Sequence, residues 1–229
     1  MTIADRVPIV RGLLGGREDK DQEIANWIGN SYLSLGSSLP FETLEDTLEP
    51  FTSFGVDNYP YPPTARAIKS IVIGIPAANP QTFPPLIKKN MQLLDRYGPQ
   101  PGTPSLWAPW SNLFYLRQIP NDSYQLIIRF WIKPQITRLT GSQNVNPTTV
   151  IFVPDDWIEV LDYSAQLRGY MDLQEFDKAQ VIRTLLYGDP ANIKRVPGLI
   201  KANLRRIQAE QETNQYGLRP RIRRYAHVP

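Results

Sequence analysis

Asn112-Leu-Phe-Tyr-Leu-Arg-Gln-Ile119, Pro120-Asn-Asp122, Ser123-Tyr-Gln-Leu-Ile-Ile-Arg-Phe-Trp-Ile-Lys133, Thr148-Thr-Val-Ile-Phe-Val153 and Pro154-Asp-Asp-Trp-Ile-Glu-Val-Leu-Asp-Tyr-Ser-Ala-Gln-Leu-Arg-Gly-Tyr170 carry the change from sheet to helix in this chain. Along Tyr124, Leu126, Ile128, Phe130 and Ile132 every second residue is large and apolar, while Gln125, Arg129 and Lys133 mark the other face. That period of two predicts a strand with one buried side. Residues 112–119 and 123–133, joined by Pro-Asn-Asp, predict a tight hairpin, and Thr148–Val153 a further strand. After Pro154 the apolar spacing becomes Trp157, Leu161, Ala165, with Ser164 and Gly169 leaving room for a close neighbour. This predicts a helix whose first turn holds Pro154, Asp155 and Asp156.

Working outward, Asp19–Glu23 followed by Ile24, Trp27, Ile28, Tyr32 and Leu35 predicts a helix over 20–36 with an acidic first turn. Pro40, Pro50, Gly55, Pro60, Pro62 and Pro63 break the stretch from Leu39 to Pro63 and predict connecting structure with one short strand. Ala67–Ile75 reads as a strand and 84–95 as a short helix opened by proline. Asp172-Leu-Gln-Glu175 has capping-box spacing before an apolar stripe of Phe176, Ala179, Ile182 and Leu186, stopped at Gly188-Asp-Pro190, and another helix begins near Pro197. From Gln215 the pattern dissolves into an arm rich in arginine. The expected architecture is α+β: a helical bundle domain from 1–60 plus 154–214, an inserted β-rich domain over 61–153, and an extended arm over 215–229.

Composition narrows the chemistry. The 229 residues include no cysteine and a single histidine, which excludes disulfides and thiolate metal sites and leaves too few nitrogen ligands for a zinc or haem centre. No cofactor is expected. The amino end has neither a basic start nor an apolar signal core, and no run approaches the ~20 apolar residues of a membrane span. The net charge of +3 is polarised: residues 1–60 carry four bases against ten acids, and residues 183–229 ten bases against three acids. Opposite signs at the two ends suit oppositely charged partners, contacts between identical copies, or two ordinary solvated surfaces.

No catalytic constellation stands out, and an enzyme is not expected. Gly12-Leu-Leu-Gly-Gly16 lacks the Lys-Ser/Thr of a phosphate loop and reads as a turn. His227 lies third from the end, where a base cannot be held in place. Asp155, Asp156, Glu159 and Asp162 offer carboxylates for acid/base work or a hard cation, but a helix start that complements its dipole accounts for them. Phe114, Tyr115, Phe130 and Trp131 near Arg117, Arg129 and Lys133 resemble a stacking platform for single strands, although Phe130 and Trp131 must face opposite ways. In the arm, Arg219, Arg221, Arg223 and Arg224 can grip phosphates, and Tyr216, Leu218, Ile222 and Tyr225 between them favour a protein groove. Lys201, Arg205 and Arg206 are candidates for channel or subunit contacts.

Three blocks together carry a family likeness: Ile24-Ala-Asn-Trp-Ile-Gly-Asn-Ser-Tyr32; Leu113-Phe-Tyr-Leu116 with Ile119-Pro-Asn-Asp-Ser-Tyr-Gln-Leu126 and Phe130-Trp-Ile-Lys-Pro134; and Val153-Pro-Asp-Asp-Trp-Ile-Glu-Val-Leu-Asp-Tyr-Ser-Ala-Gln-Leu167. The chain resembles, over about 17–190, the head-to-tail adaptor proteins of tailed bacteriophages, the tail tubular protein A-like connectors. The resemblance implies a structural protein of the virion neck, made in the host cytoplasm. It implies a ring, commonly of twelve copies, beneath the portal protein, with a bundle around the packaged double-stranded DNA and a β domain toward the tail or nozzle protein. It also implies an arm that reaches the portal, which gives Tyr216, Leu218, Arg219, Arg221, Ile222, Arg223, Arg224 and Tyr225 their role. The competing expectation is a cellular nucleic-acid-binding module using the basic carboxyl end.

Overall fold

The computed structural model describes residues 1–39, 41–74, 84–189 and 197–216, with side chains to Ile207. Its element order is α1 (Ile3–Leu13), α2 (Asp21–Ser38), β1 (Glu45–Leu48), β2 (Asn58–Pro60), β3 (Ala65–Gly74), β4 (Ile87–Lys88), α3 (Met91–Leu94), β5 (Pro101–Gly102), β6 (Leu106–Trp110), β7 (Leu113–Arg117), β8 (Ile119–Pro120), β9 (Gln125–Ile132), α4 (Asp155–Asp172), α5 (Phe176–Tyr187) and α6 (Leu199–Tyr216). The fold is α+β, a helical unit carrying both ends of the chain and an inserted unit of small sheets.

The inserted unit runs from Leu33 to Gln135, and the helical unit comprises Met1–Tyr32 and Ile136–Pro229. Both boundaries therefore lie upstream of the expected 61 and 153. At the first, β1 and β2 are claimed by sheets of the inserted unit: β1 pairs antiparallel with β9, and β2 with β7. At the second, residues 145–151 bond to the amino end of the chain, through Ala4 N–H to the Pro147 carbonyl, Ile3 N–H to Thr149 and Ile151 N–H to Met1.

Within the inserted unit the sheet order is β1-β9-β3 in one sheet, β2-β7-β6-β4 in a second and β5-β8 in a third. The alternation of β9 holds: Tyr124, Leu126, Ile128 and Phe130 are buried and Ile132 packs against them, in one core with Ile68, Ile71, Ile73, Trp107, Phe114 and Leu116. The expected hairpin does not hold. β7 and β9 sit in different sheets, because β9 already has β1 on one edge and β3 on the other and has no free ladder for β7. The tight hairpin is instead β6–β7, turned by Ser111 and Asn112 with φ of 46° and 61°. Two successive left-handed residues make the primed turn whose twist suits adjacent antiparallel strands.

Other local expectations shift for similar reasons. Residues 84–95 form only one helical turn, capped by the Asn90 side chain accepting from Leu93 N–H, while Ile87–Lys88 joins the open edge of β6 in parallel. Thr148–Val153 forms no ladder beyond a single bridge from Thr2 to Val150, although its alternation persists with Thr149 and Ile151 buried and Val150 and Phe152 exposed. The region 39–63 holds two short strands rather than one. Gln215 and Tyr216 belong to α6, so the helix runs past the expected start of the arm.

The helical unit is built on α4. Its Trp157, Val160, Leu161 and Ala165 are buried, and α1, α5 and α6 all pack on it. A Cβ on Gly169 would stand 2.9 Å from Trp27 Cζ3, so any larger residue there would force the α2 indole away from α4. The expected capping box at Asp172–Glu175 is absent. Asp172 ends α4 and accepts from the Trp27 indole N–H, the chain reverses at Gln174 with φ of 60°, and α5 starts without a side-chain cap. The helix α1 was not anticipated, yet Thr2 and Asp5 form a reciprocal capping box at its start.

Candidate interaction surfaces

The carboxylates at the start of α4 are dispersed into separate contacts. Asp162 is buried and takes two hydrogen bonds from the Arg6 guanidinium of α1, including Nε to Oδ1 at 3.1 Å. Burial pushes its pKa up, and Arg6 opposes that rise. Asp156 pairs with Arg206, and its backbone carbonyl accepts from Asn203 Nδ2 at 2.7 Å, so α6 is tied to the first turn of α4. Asp155 and Glu159 are exposed. Among the described residues no group of three or more His, Asp or Glu side chains is placed to hold a metal ion.

The aromatic platform is taken apart by the two sheets. Phe114 and Phe130 are core residues, with Tyr59 stacked on Phe114 at 5.5 Å between ring centroids. Trp131 lies on the opposite face of β9, half-buried, with the Arg66 guanidinium 5.8 Å and the Lys69 ammonium 5.9 Å from its ring centre. Arg117 is bound to Asp57 at 2.8 Å. Of the candidate stacking set, Tyr115, Trp131, Arg129 and Lys133 retain solvent access, and the two phenylalanines do not.

The basic carboxyl-terminal region is partly in view. On α6, Lys201 and Arg205 are exposed one turn apart, and Arg206 is turned toward Asp156. The helix is held close at its start: a Cβ on Gly198 would collide with the backbone of Leu186, Tyr187 and Gly188, which Pro197 meets in a β-bridge. Tyr216 is the last residue of α6, and Leu218, Arg219, Arg221, Ile222, Arg223, Arg224 and Tyr225 lie outside the described residues, as does His227.

One surface escaped the sequence reading. α5 buries only Ala179 and Leu186 fully, with Ile182 half-buried, and exposes Phe176, Val181, Leu185 and Tyr187. Beside it Leu167 and Met171 of α4 line a groove of about 770 Å³ with Gln180, Thr184 and Tyr187. The signal was present: a helix with apolar residues on every side has more than one face to cover. No family model matches the chain, and no curated protein does either.

Proposed function

We propose that this chain is a non-enzymatic head-to-tail adaptor of a tailed-bacteriophage virion. In this reading copies form a ring, twelve by the resemblance, that docks on the portal, continues the DNA channel and presents the inserted β unit to the tail or nozzle protein. The observation that carries it is the architecture: a helical unit holding both chain ends, with a β unit spliced in at Leu33–Gln135, is the division the family likeness implies. Two of the α4 carboxylates, Asp162 and Asp156, are drawn into ion pairs with Arg6 and Arg206, which suits a shape-determined role. Lys201 and Arg205 lie on the helix that leads into the arm, and they are the proposed channel or subunit contacts.

The test is imaging of the purified chain with portal protein. Rings seated on the portal support the proposal, and a chain that never joins a ring removes it. Deleting 217–229 is expected to leave the unfolding transition unchanged and to abolish docking; loss of the transition would make the segment part of the core. The competing nucleic-acid module predicts tight binding of free duplex that falls steeply with salt. An adaptor binds free duplex weakly, since a channel that held DNA strongly would impede its passage.

A further inference from the structure

We propose that the inserted unit holds a binding site for a small monocarboxylate, seated on the Nε–Nη2 edge of Arg117. The site stands on the strands of that unit alone and is independent of the adaptor reading.

Arg117 ends β7 opposite Leu106 of β6, so the two side chains leave the ladder on one face. With Ser105, and with Arg96, Tyr97 and Gly98 just beyond α3, they line a groove of about 530 Å³, a volume in the range of small-ligand sites. The Arg117 side chain is 12% exposed, and its Nη1 donates to Asp57 Oδ2 at 2.8 Å and to the Leu116 carbonyl at 3.2 Å. Its other edge is held by nothing. Nε is buried and donates to no atom among the described residues, and Nη2 comes no nearer than 3.9 Å to Asp95 Oδ1, outside hydrogen-bond reach. Native proteins rarely keep a buried N–H without an acceptor, so such a donor in the wall of a groove asks for a ligand oxygen.

The chain itself shows what that edge takes. Arg6 and Arg11 each lay Nε and Nη2 side-on against the two oxygens of an aspartate, Asp162 and Asp21. Arg117 presents the same fork with no protein carboxylate against it, and a ligand carboxylate completes the pattern. Charge limits the ligand to one negative charge. Arg96 is exposed, has no ion pair among the described residues and offsets one added charge; a second would face Asp57 and Asp95 without an offset. The half-exposed Tyr97 ring and the part-buried Leu106 give the groove an apolar wall, which suits a compact apolar or aromatic body behind the carboxylate. Such a group comes either from a free acid or from the end of a peptide chain.

The experiment titrates the full-length, isotope-labelled chain with benzoate and follows the Arg117 Nε–Hε resonance by NMR, assigned through bonds from the Arg117 backbone. The resonance is expected to move and saturate with a Kd below about 10 mM, with sulfate at least about tenfold weaker and neutral benzamide without effect. Arg96→Gln changes an exposed side chain and is expected to weaken benzoate about tenfold in a chain whose circular dichroism is unchanged. Arg117→Lys keeps a cation beside Asp57 but lacks the fork, and is expected to abolish binding; should that variant not fold, the wild-type titration and Arg96→Gln decide. A tripeptide, Gly-Gly-Phe, with a free carboxyl end is run beside its amide. Tighter binding than benzoate by the free peptide supports a chain end as the source, and weaker binding a free acid. A resonance unmoved at about 50 mM benzoate, equal binding of sulfate or benzamide, or an Arg96→Gln chain that binds like wild type overturns the proposal.

Discussion

Replacing Arg6 with methionine keeps the length of the side chain and removes the partner of a buried carboxylate. Asp162 is 8% exposed at its side chain and Arg6 16%, and the guanidinium faces both carboxylate oxygens. Breaking such a pair costs about 3–5 kcal/mol, because the remaining charge is left without solvent or counter-ion. The partial exposure of Arg6 lets water approach, so the expected cost is about 3 kcal/mol at pH 7. That corresponds to about a hundredfold loss of protection for the slowest amides of α1 and α4, read by hydrogen exchange with wild type and variant compared at the same pH.

The pH dependence distinguishes this cause from lost packing. The folded Asp162 carboxyl already holds its proton more tightly than an ordinary aspartate near 3.8, chiefly through burial. Such a group favours folding below the unfolded value, and that advantage is lost as pH rises through the folded value. Without Arg6 the folded value climbs further, so the penalty of the variant is expected to shrink at pH 4.5, where Asp162 can take up a proton. The double variant Arg6→Met/Asp162→Leu is expected to recover most of the stability. A loss of protection below tenfold at pH 7, or one equal at pH 7 and 4.5, would refute the assignment of a buried charge pair.

Other perturbations test separate joints. Gly198→Ala places a Cβ against the backbone of Leu186–Gly188, where no side chain can rotate away, and is expected to cost about 3 kcal/mol and to expose α6 to protease while α4 stays protected. Unchanged cleavage would mean that α6 is not held there. Ser111→Asn/Asn112→Gly supplies the residues that two positive φ values favour and is expected to stabilise the inserted unit by about 0.5–1 kcal/mol, seen as a raised unfolding midpoint. A lowered midpoint would contradict the primed turn. Trp27→Phe removes the indole donor to Asp172 and is expected to cost about 1–3 kcal/mol in thermal unfolding; no change would show that bond to be idle.

The sequence alone determined most of the local structure, because local structure depends on period and on end signals that lie close together in the chain. The alternation from Tyr124 to Ile132 marked one buried face of β9, Trp157, Leu161 and Ala165 marked the core stripe of α4, and Gly188 marked the end of α5. The α+β class followed from their order. Only the tertiary structure decided which strand pairs with which, since alternation names a buried face and never a partner; β7 turned back on β6 because both edges of β9 were filled from distant parts of the chain. The surroundings of individual side chains were hidden for the same reason. Whether Asp162 is a reactive carboxylate or one half of an ion pair depends on Arg6, 156 residues away, and the open face of α5 emerges only once its buried stripe is known.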